Sequence, residues 1–337
     1  MRIDRDINRR ITIAKLLLIF GIAITHVPPF MELSDLTFHF AETTKAFFAH
    51  AFFRAAVPLL AAISGYLLFS STPYQNIKKL FVKKFRSIVI PLILWNLPMA
   101  MIIYVLQKYN PGTYDAMQIL YPFTLDAWLN AVTGISTLPI NKPLYFLRDI
   151  FVISIIAPLY WAVFKKIPYI GLVVLLIVFY LDLDGELVMR NSMYFTFYLG
   201  ILAATQNWNL KCLDKYGYHL FTVFTCACIY IIYNRINNKE AFIIFSSFMI
   251  WPALSKIVDT PIRNFFEKYS QYSFLLFLSH VPIMFILHKL YLHYAVGIPY
   301  FVFWVLAPAI TIYICLAILP NTRNIFPGLY RVAVGGR

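Results

Sequence analysis

Charge is what this sequence of 337 residues has least of. Only 13% of the residues are Asp, Glu, Lys or Arg and 61% are hydrophobic, where a soluble domain carries about 25% charged residues, so a water-soluble globular chain is excluded. Acid is scarcer still, with 15 Asp and Glu against 29 Lys and Arg and a net charge of +14. There are four cysteines, Cys212, Cys226, Cys228 and Cys315, and all but the first sit in apolar runs without zinc-like spacing. They read as small hydrophobes, so neither a disulfide framework nor a metal site is indicated. No HExxH, GxSxG or phosphate-loop pattern occurs, which leaves the common soluble chemistries without support. The positive charge does not point to nucleic acid, because it falls in short clusters between apolar stretches. Such clusters fit membrane orientation and anionic headgroups.

What is present is a series of long apolar windows. Stretches of about 20 residues suit a bilayer, and ten are found, at roughly 11–31, 46–70, 86–107, 143–164, 167–182, 191–206, 218–233, 240–256, 270–290 and 298–319. The expected fold is an all-α polytopic membrane protein of about ten transmembrane helices, residues 1–337 forming a single membrane-embedded domain. With the N-terminus inside, 19 basic residues collect on the cytoplasmic side, from Arg2, Arg5, Arg9 and Arg10 to Arg337, against 6 on the other, while Asp182, Asp184 and Glu186 also fall outside. That bias places both termini in the cytoplasm. The first window holds Lys15 and lacks a clear small-residue cleavage site, so it reads as a retained span rather than a secretory signal. The longest exterior connection, about Tyr109 to Asn141, contains an amphipathic piece, Leu125 to Val132, suited to the outer interface.

Ionisable side chains inside apolar stretches are few, and such groups are costly enough to be presumed functional. Lys15 and His26 share the first window. Their spacing is close to three helical turns, which puts them on one face roughly 16 Å apart along the axis. Arg54 lies in the second window, and the adjacent Arg148 and Asp149 in the fourth. His26, Arg54 and Arg148 come to similar depths, as a polar cavity in the bundle requires. Each also has a structural reading: Arg148 paired with Asp149, Arg54 and Lys15 snorkelling to an interface. His280, in YSFLLFLSHVPIMFIL, falls near mid-membrane and reads equally as a packing residue. His39, His50, His219, His288 and His293 read as interfacial.

These residues resemble a known family. AKLLLIFGIAITHV is similar to the opening helix of the acyltransferase-3 family of membrane acyltransferases, whose signature is a basic residue, usually Arg, separated by ten residues from a His. Lys15 stands in the Arg position and keeps the charge without the planar fork. FFRAAVPLLAAISGYLLF, with Arg54, Pro58, Ser64 and Gly65, resembles the family's second helix, and KKFRSIVIPLILW its third. KPLYFLRDIFVISIIAPLY resembles a P-L-W-F-L-R helix, with Tyr145 where Trp is more usual. YFTFYLGILAA and YSFLLFLSHVPIMFIL resemble later helices.

The resemblance implies transfer of an acyl group, most often acetyl from cytoplasmic acetyl-CoA, to a sugar hydroxyl of an envelope glycan such as an O-antigen or exopolysaccharide, or of its lipid-linked precursor. It implies the compact form, without a C-terminal esterase-like domain, in a bacterial inner membrane. Ester formation needs a base, an oxyanion-stabilising group and a cationic site for the donor's phosphates. His26, whose unperturbed pKa lies near neutrality, is the expected base. Arg54 and Arg148 are the expected oxyanion or acceptor groups, and Lys15, Lys83, Lys84 and Arg86 the donor site. His280, Ser64 and Asp149 are additional candidates; no metal and no nucleic acid are expected, and membrane lipids are partners. The alternative is a polytopic transporter or flippase of a lipid-linked glycan, weakened by the absence of a visible inverted repeat and by Asp149 being the one acidic residue well inside a span.

Overall fold

The computed structural model describes residues 3–71, 76–110, 118–183, 185 and 187–336; Arg2, Arg337, Asp184 and Glu186 lie outside them. Among the described residues every regular element is helical. We number the principal helices α1 Arg5–Thr25, α2 Phe40–Phe69, α3 Ile77–Tyr109, α4 Leu125–Thr133, α5 Lys142–Phe164, α6 Pro168–Tyr180, α7 Ser192–Thr205, α8 Asp214–Tyr233, α9 Ala241–Val258, α10 Ile262–Tyr294, α11 Tyr300–Ile325 and α12 Pro327–Ala333. Helices occupy all ten apolar windows. Seven of those described, α2, α3, α5, α8, α9, α10 and α11, are long and apolar enough to cross a membrane. By contrast α6 and α7 have only 13 and 14 residues, while α1 carries Arg9, Arg10 and Lys15 along its length. The amphipathic piece is α4, capped by the Thr124 hydroxyl and closed by Gly134 at φ +69°, a left-handed stop that glycine adopts freely.

Polar side chains fix where the helices begin. The Asp4 carboxylate accepts from the Asp6 and Ile7 amides at 2.9 and 3.2 Å to start α1, and Asn76 accepts from the Lys79 amide to start α3, each satisfying a donor that has no partner within its helix. Arg9 pairs with Glu267 and Lys211 with Asp4 and Asp6. These contacts place the starts of α1, α8 and α10 together at what we term the near end. The C-terminus returns there: the Trp95 indole donates to the Ala333 carbonyl, and Gly335 lies against Ser87. Arg10 is not a free surface cation. It is 3% exposed, grips both Asp214 oxygens at 2.8 and 2.5 Å and lies over the Trp251 ring.

The tightest crossing is between α2 and α7. A Cβ on Gly65 would stand 2.1 Å from the Phe197 carbonyl oxygen, and one on Gly200 would stand 1.9 Å from that of Ala62. Small residues let membrane helices approach this closely, where packing rather than hydrophobicity drives association. Gly21 plays a similar part in α1, because the Phe53 ring occupies the space a side chain would need. The outcome is that α2 is held against both α1 and α7, and the residue after Phe53 is Arg54.

Candidate active site at the far end of the first helix

The site is built around the end of α1. His26 is the capping residue beyond Thr25. Its Nδ1 lies 2.7 Å from the Ile22 carbonyl oxygen and 3.1 Å from the Thr25 hydroxyl. A carbonyl oxygen only accepts, so this contact assigns the proton to Nδ1. In the neutral ring Nε2 then carries the lone pair. His280 on α10 repeats the arrangement, with Nδ1 donating to the Phe277 and Leu276 carbonyls at 2.8 and 3.1 Å. It is fully buried, and among the described residues its Nε2 has no hydrogen-bond partner. The two rings meet edge to face with centroids 5.4 Å apart. The structure therefore brings His280 to His26, which the sequence left undecided.

Arg54 reaches the same place through a break in α2. Phe47–Ala51 winds as a π turn, Phe52–Ala55 tightens to 3₁₀ geometry, and Ala51 leaves helical torsions at φ −127° and ψ −69°. Such departures free carbonyls and recur at functional sites. Arg54 answers one of them, its Nε donating to the Ala49 carbonyl at 2.9 Å. The residue is exposed. Within electrostatic range of Arg54 are His26, His50, Lys239, Arg190, Tyr145 and Glu32, and Lys142 lies within range of His26. The Arg190 guanidinium stands 5.9 Å from the centroid of the Tyr145 ring.

The segment between α1 and α2 is tied down around the site. Lys45 donates to the Pro29 carbonyl and to the Tyr300 hydroxyl, which in turn donates to the Pro28 carbonyl. His50 is half-buried and bonds the Met31 carbonyl through Nε2 at 2.8 Å. Lys239, in the turn before α9, donates to the His50 carbonyl at 3.0 Å. Burial and the nearby Arg54 charge push its pKa down to about 8, with Glu32 opposing.

The other expected site residues are placed elsewhere. Arg148 is not brought to His26; its guanidinium bonds Asp149 at 3.0 Å and the Leu187 and Ile135 carbonyls at 2.6 and 2.9 Å. Asp149, wholly buried, also accepts from the Met189 and Arg190 amides at 3.2 Å each. The pair thus fastens two far-end loops to α5 and sets the backbone from which Arg190 projects. Ser64 donates to the Leu60 carbonyl of its own helix at 2.7 Å. Lys15 is half-buried on α1; Lys83 and Arg86 are exposed and Lys84 half-buried, all at the near-end start of α3. A cavity of about 380 Å³ opens in the near-end half among Ile11, Leu59, Tyr66, Trp208, Leu213 and Trp251. Among the described residues no carboxylate, imidazole or amine lines it. No group of three or more His, Cys, Asp or Glu among the described residues is disposed to hold a metal.

Sequence reasoning missed Tyr145, Arg190, Lys142, Lys239 and Glu32 as members of this group. Tyr145 stood in a quoted helix as a departure from Trp, and Lys142, Arg190 and Lys239 entered only as three of the six basic residues on the outer side; Glu32 gave no signal.

With this geometry in view, comparison with known proteins is decisive. The model of the acyltransferase-3 family, described as an acyltransferase domain, matches residues 8–319. The chain belongs to that family. It is also similar to the succinoglycan biosynthesis protein ExoH of Rhizobium meliloti (strain 1021), with 27% identity over 356 aligned positions covering 99% of this chain and 94% of that protein. No solved structure matches. The family match makes this a membrane acyltransferase.

Proposed function

We propose that the protein moves an acyl group, acetyl from acetyl-CoA in the simplest case, onto a sugar hydroxyl of an envelope polysaccharide or its lipid-linked precursor, with His26 as general base. It would act in a bacterial inner membrane with both termini in the cytoplasm. The observation that carries this reading is the Nδ1 contact of His26 with the Ile22 carbonyl, which leaves Nε2 as the basic nitrogen, with Arg54 within electrostatic range of the ring. In the proposed step Nε2 takes the sugar hydroxyl proton as the oxygen bonds to the thioester carbonyl carbon. Arg54 steadies the resulting oxyanion. Collapse breaks the carbon–sulfur bond, and the imidazolium returns the proton to the departing thiolate. Lys15 with Lys83, Lys84 and Arg86 would receive the donor's phosphates from the near end. The polysaccharide acceptor is supported by the relative's name, and acyl transfer rather than transport is favoured by the family match.

The test is release of free coenzyme A from acetyl-CoA by purified protein in lipid nanodiscs with a glycan acceptor. His26→Ala, matched to wild type in folding, is expected to lose about 10²–10⁴-fold in rate, the usual contribution of a positioned base. An active His26→Ala would remove His26 from the centre. A trapped acetyl adduct on His26 would replace direct transfer by a two-step route.

A further inference from the structure

The cavity in the near-end half is walled by α1, α2, α7 and α9 and floored by the turn that follows α7. Toward the far end α7 and α9 pack together, Phe195 and Ile244 sharing one apolar cluster. Nearer the other end they part around about 380 Å³. The opening lies on the side that meets the bilayer, because Phe248 of α9 and Leu213 line the cavity and are 41% and 40% exposed, and α9 is a membrane-crossing helix by length and composition.

The walls narrow what can fill this space. Thr196 and Trp251 donate to the Ser192 and Leu210 carbonyls, and Asn209 accepts from the Lys211 amide, so these polar atoms are engaged outside the cavity. The Ser247 hydroxyl is buried and has no partner among the described residues. An apolar cavity stays dry, and protein interiors seldom keep voids of this size. The pantetheine arm of a coenzyme A donor fits poorly, since its amides would meet walls whose polar atoms are largely taken. Hydrocarbon fits. Between the lining residues Ala203 and Thr196 the cavity follows α7 for roughly 10 Å, against about 15 Å for the hydrocarbon of one leaflet. The near-end rim carries a cation: a Cβ on Gly217 would stand 2.8 Å from the carbonyl oxygen of Pro252, a lining residue, and 3.2 Å from Cε of Lys256. The Lys256 ammonium lies 5.4 Å from the Tyr218 ring centroid, and among the described residues no carboxylate pairs with it.

We infer that this cavity binds one tail of a phospholipid from the near leaflet, which enters between α7 and α9 with its phosphate beside Lys256. The tail lies against Ala62 and Gly200, the residues that meet where α2 crosses α7. It thereby completes the packing of the helix that carries Arg54.

Trp208 lines the cavity and reports on its occupant. The experiment reads Trp208 emission, as the difference between each protein and its Trp208→Phe counterpart, for the full chain in vesicles of dioleoylphosphatidylcholine and of the same lipid brominated on its tails, bromine being a contact quencher. Most of that emission is expected to vanish in the brominated vesicles and to return in Ala203→Leu and in Ser247→Leu, which fill the cavity from two different walls. In unbrominated vesicles doped with a small fraction of brominated lipid, phosphatidylcholine is expected to quench Trp208 about fivefold better than diacylglycerol, the worth of one lysine beside a phosphate. Lys256→Gln should remove that preference. Emission unchanged by bromine, quenching that survives both filling substitutions, equal quenching by the two doped lipids, or quenching abolished by added acetyl-CoA would overturn the inference. Turnover plays no part in this readout, so its outcome stands apart from the acyl-transfer reading.

Discussion

Adding one methyl group at Gly200 tests whether the crossing of α2 and α7 sets the geometry of a site it does not touch. The new carbon would lie 1.9 Å from the Ala62 carbonyl oxygen and 2.7 Å from the Tyr66 nitrogen. Both are backbone atoms of α2, so no side-chain rotation relieves the overlap. Comfortable carbon contacts begin near about 3.5 Å, so the helices must part by roughly 1.5 Å. Overpacking of this kind costs about 1–3 kcal/mol. Ala62 follows Arg54 by about two turns on the same helix, so a displaced α2 carries Arg54 with it while His26 stays on α1. A misplacement of about 1 Å near reacting groups lowers rates by about 10²-fold. Gly200→Ala is therefore expected to melt lower and to lose about 10²-fold in coenzyme A release.

Gly65→Ala is expected to behave alike, because its added carbon would stand 2.1 Å from the Phe197 carbonyl oxygen on the partner helix. Gly297→Ala, with no atom within 4 Å of the added carbon, is the control. The assays are thermal unfolding and coenzyme A release on the same preparations. Wild-type melting and turnover in Gly200→Ala would refute the claim that this crossing positions Arg54. A lower melting point with full turnover would confine the crossing to stability.

Three further outcomes are expected. Arg148→Ala strands the buried carboxylate of Asp149 and should cost about 3–5 kcal/mol, with adding Asp149→Asn recovering part of the loss in thermal melts; no recovery would mean that Arg148 acts through its loop carbonyls instead. Burial lowers the Lys239 pKa to about 8; the cost of burying this ammonium is full below that pKa and fades as pH climbs toward the ordinary lysine value of about 10.4, so thermal melting should rise with pH across that window, a rise missing in Lys239→Gln. His280→Phe preserves an aromatic edge against His26 but removes the unpartnered Nε2; a loss of tenfold or more in turnover at unchanged melting temperature is expected if the imidazoles act together, and full activity would make His280 a packing residue.

The helical architecture was legible because bilayer-length apolar runs leave the backbone few alternatives. His26 was legible for the same reason, a titratable group in an apolar run. Arg148 met that criterion equally well and led elsewhere, because depth along a helix says nothing about which way a side chain turns, and here Asp149 and two loop carbonyls claim it. Arg54 was found, yet not the break that aims it; AHAFFRAAV contains no proline or glycine to announce a π turn. Tyr145, Arg190 and Lys239 enter the site from the ends of helices and loops, where charged and aromatic residues are ordinary, so composition gave them no contrast.

Counting charges separates the two ends of the bundle less well than asking what neutralises them. By number the near end is the more basic. There Arg9, Arg10 and Lys211 meet Glu267, Asp214, Asp4 and Asp6, and the ion pairs lock helix starts together. The far end has fewer cations, and there Arg54 and Lys239 bond the Ala49 and His50 carbonyls, near a histidine whose Nε2 is left basic by a carbonyl four residues earlier. A structural ion pair satisfies itself and needs no ligand. A cation held against a carbonyl, as Arg54 and Lys239 are, is not neutralised by that contact. The distinction depends on partners brought together from α1, α2, α5 and the turns before α7 and α9, so it becomes visible only when the chain is folded.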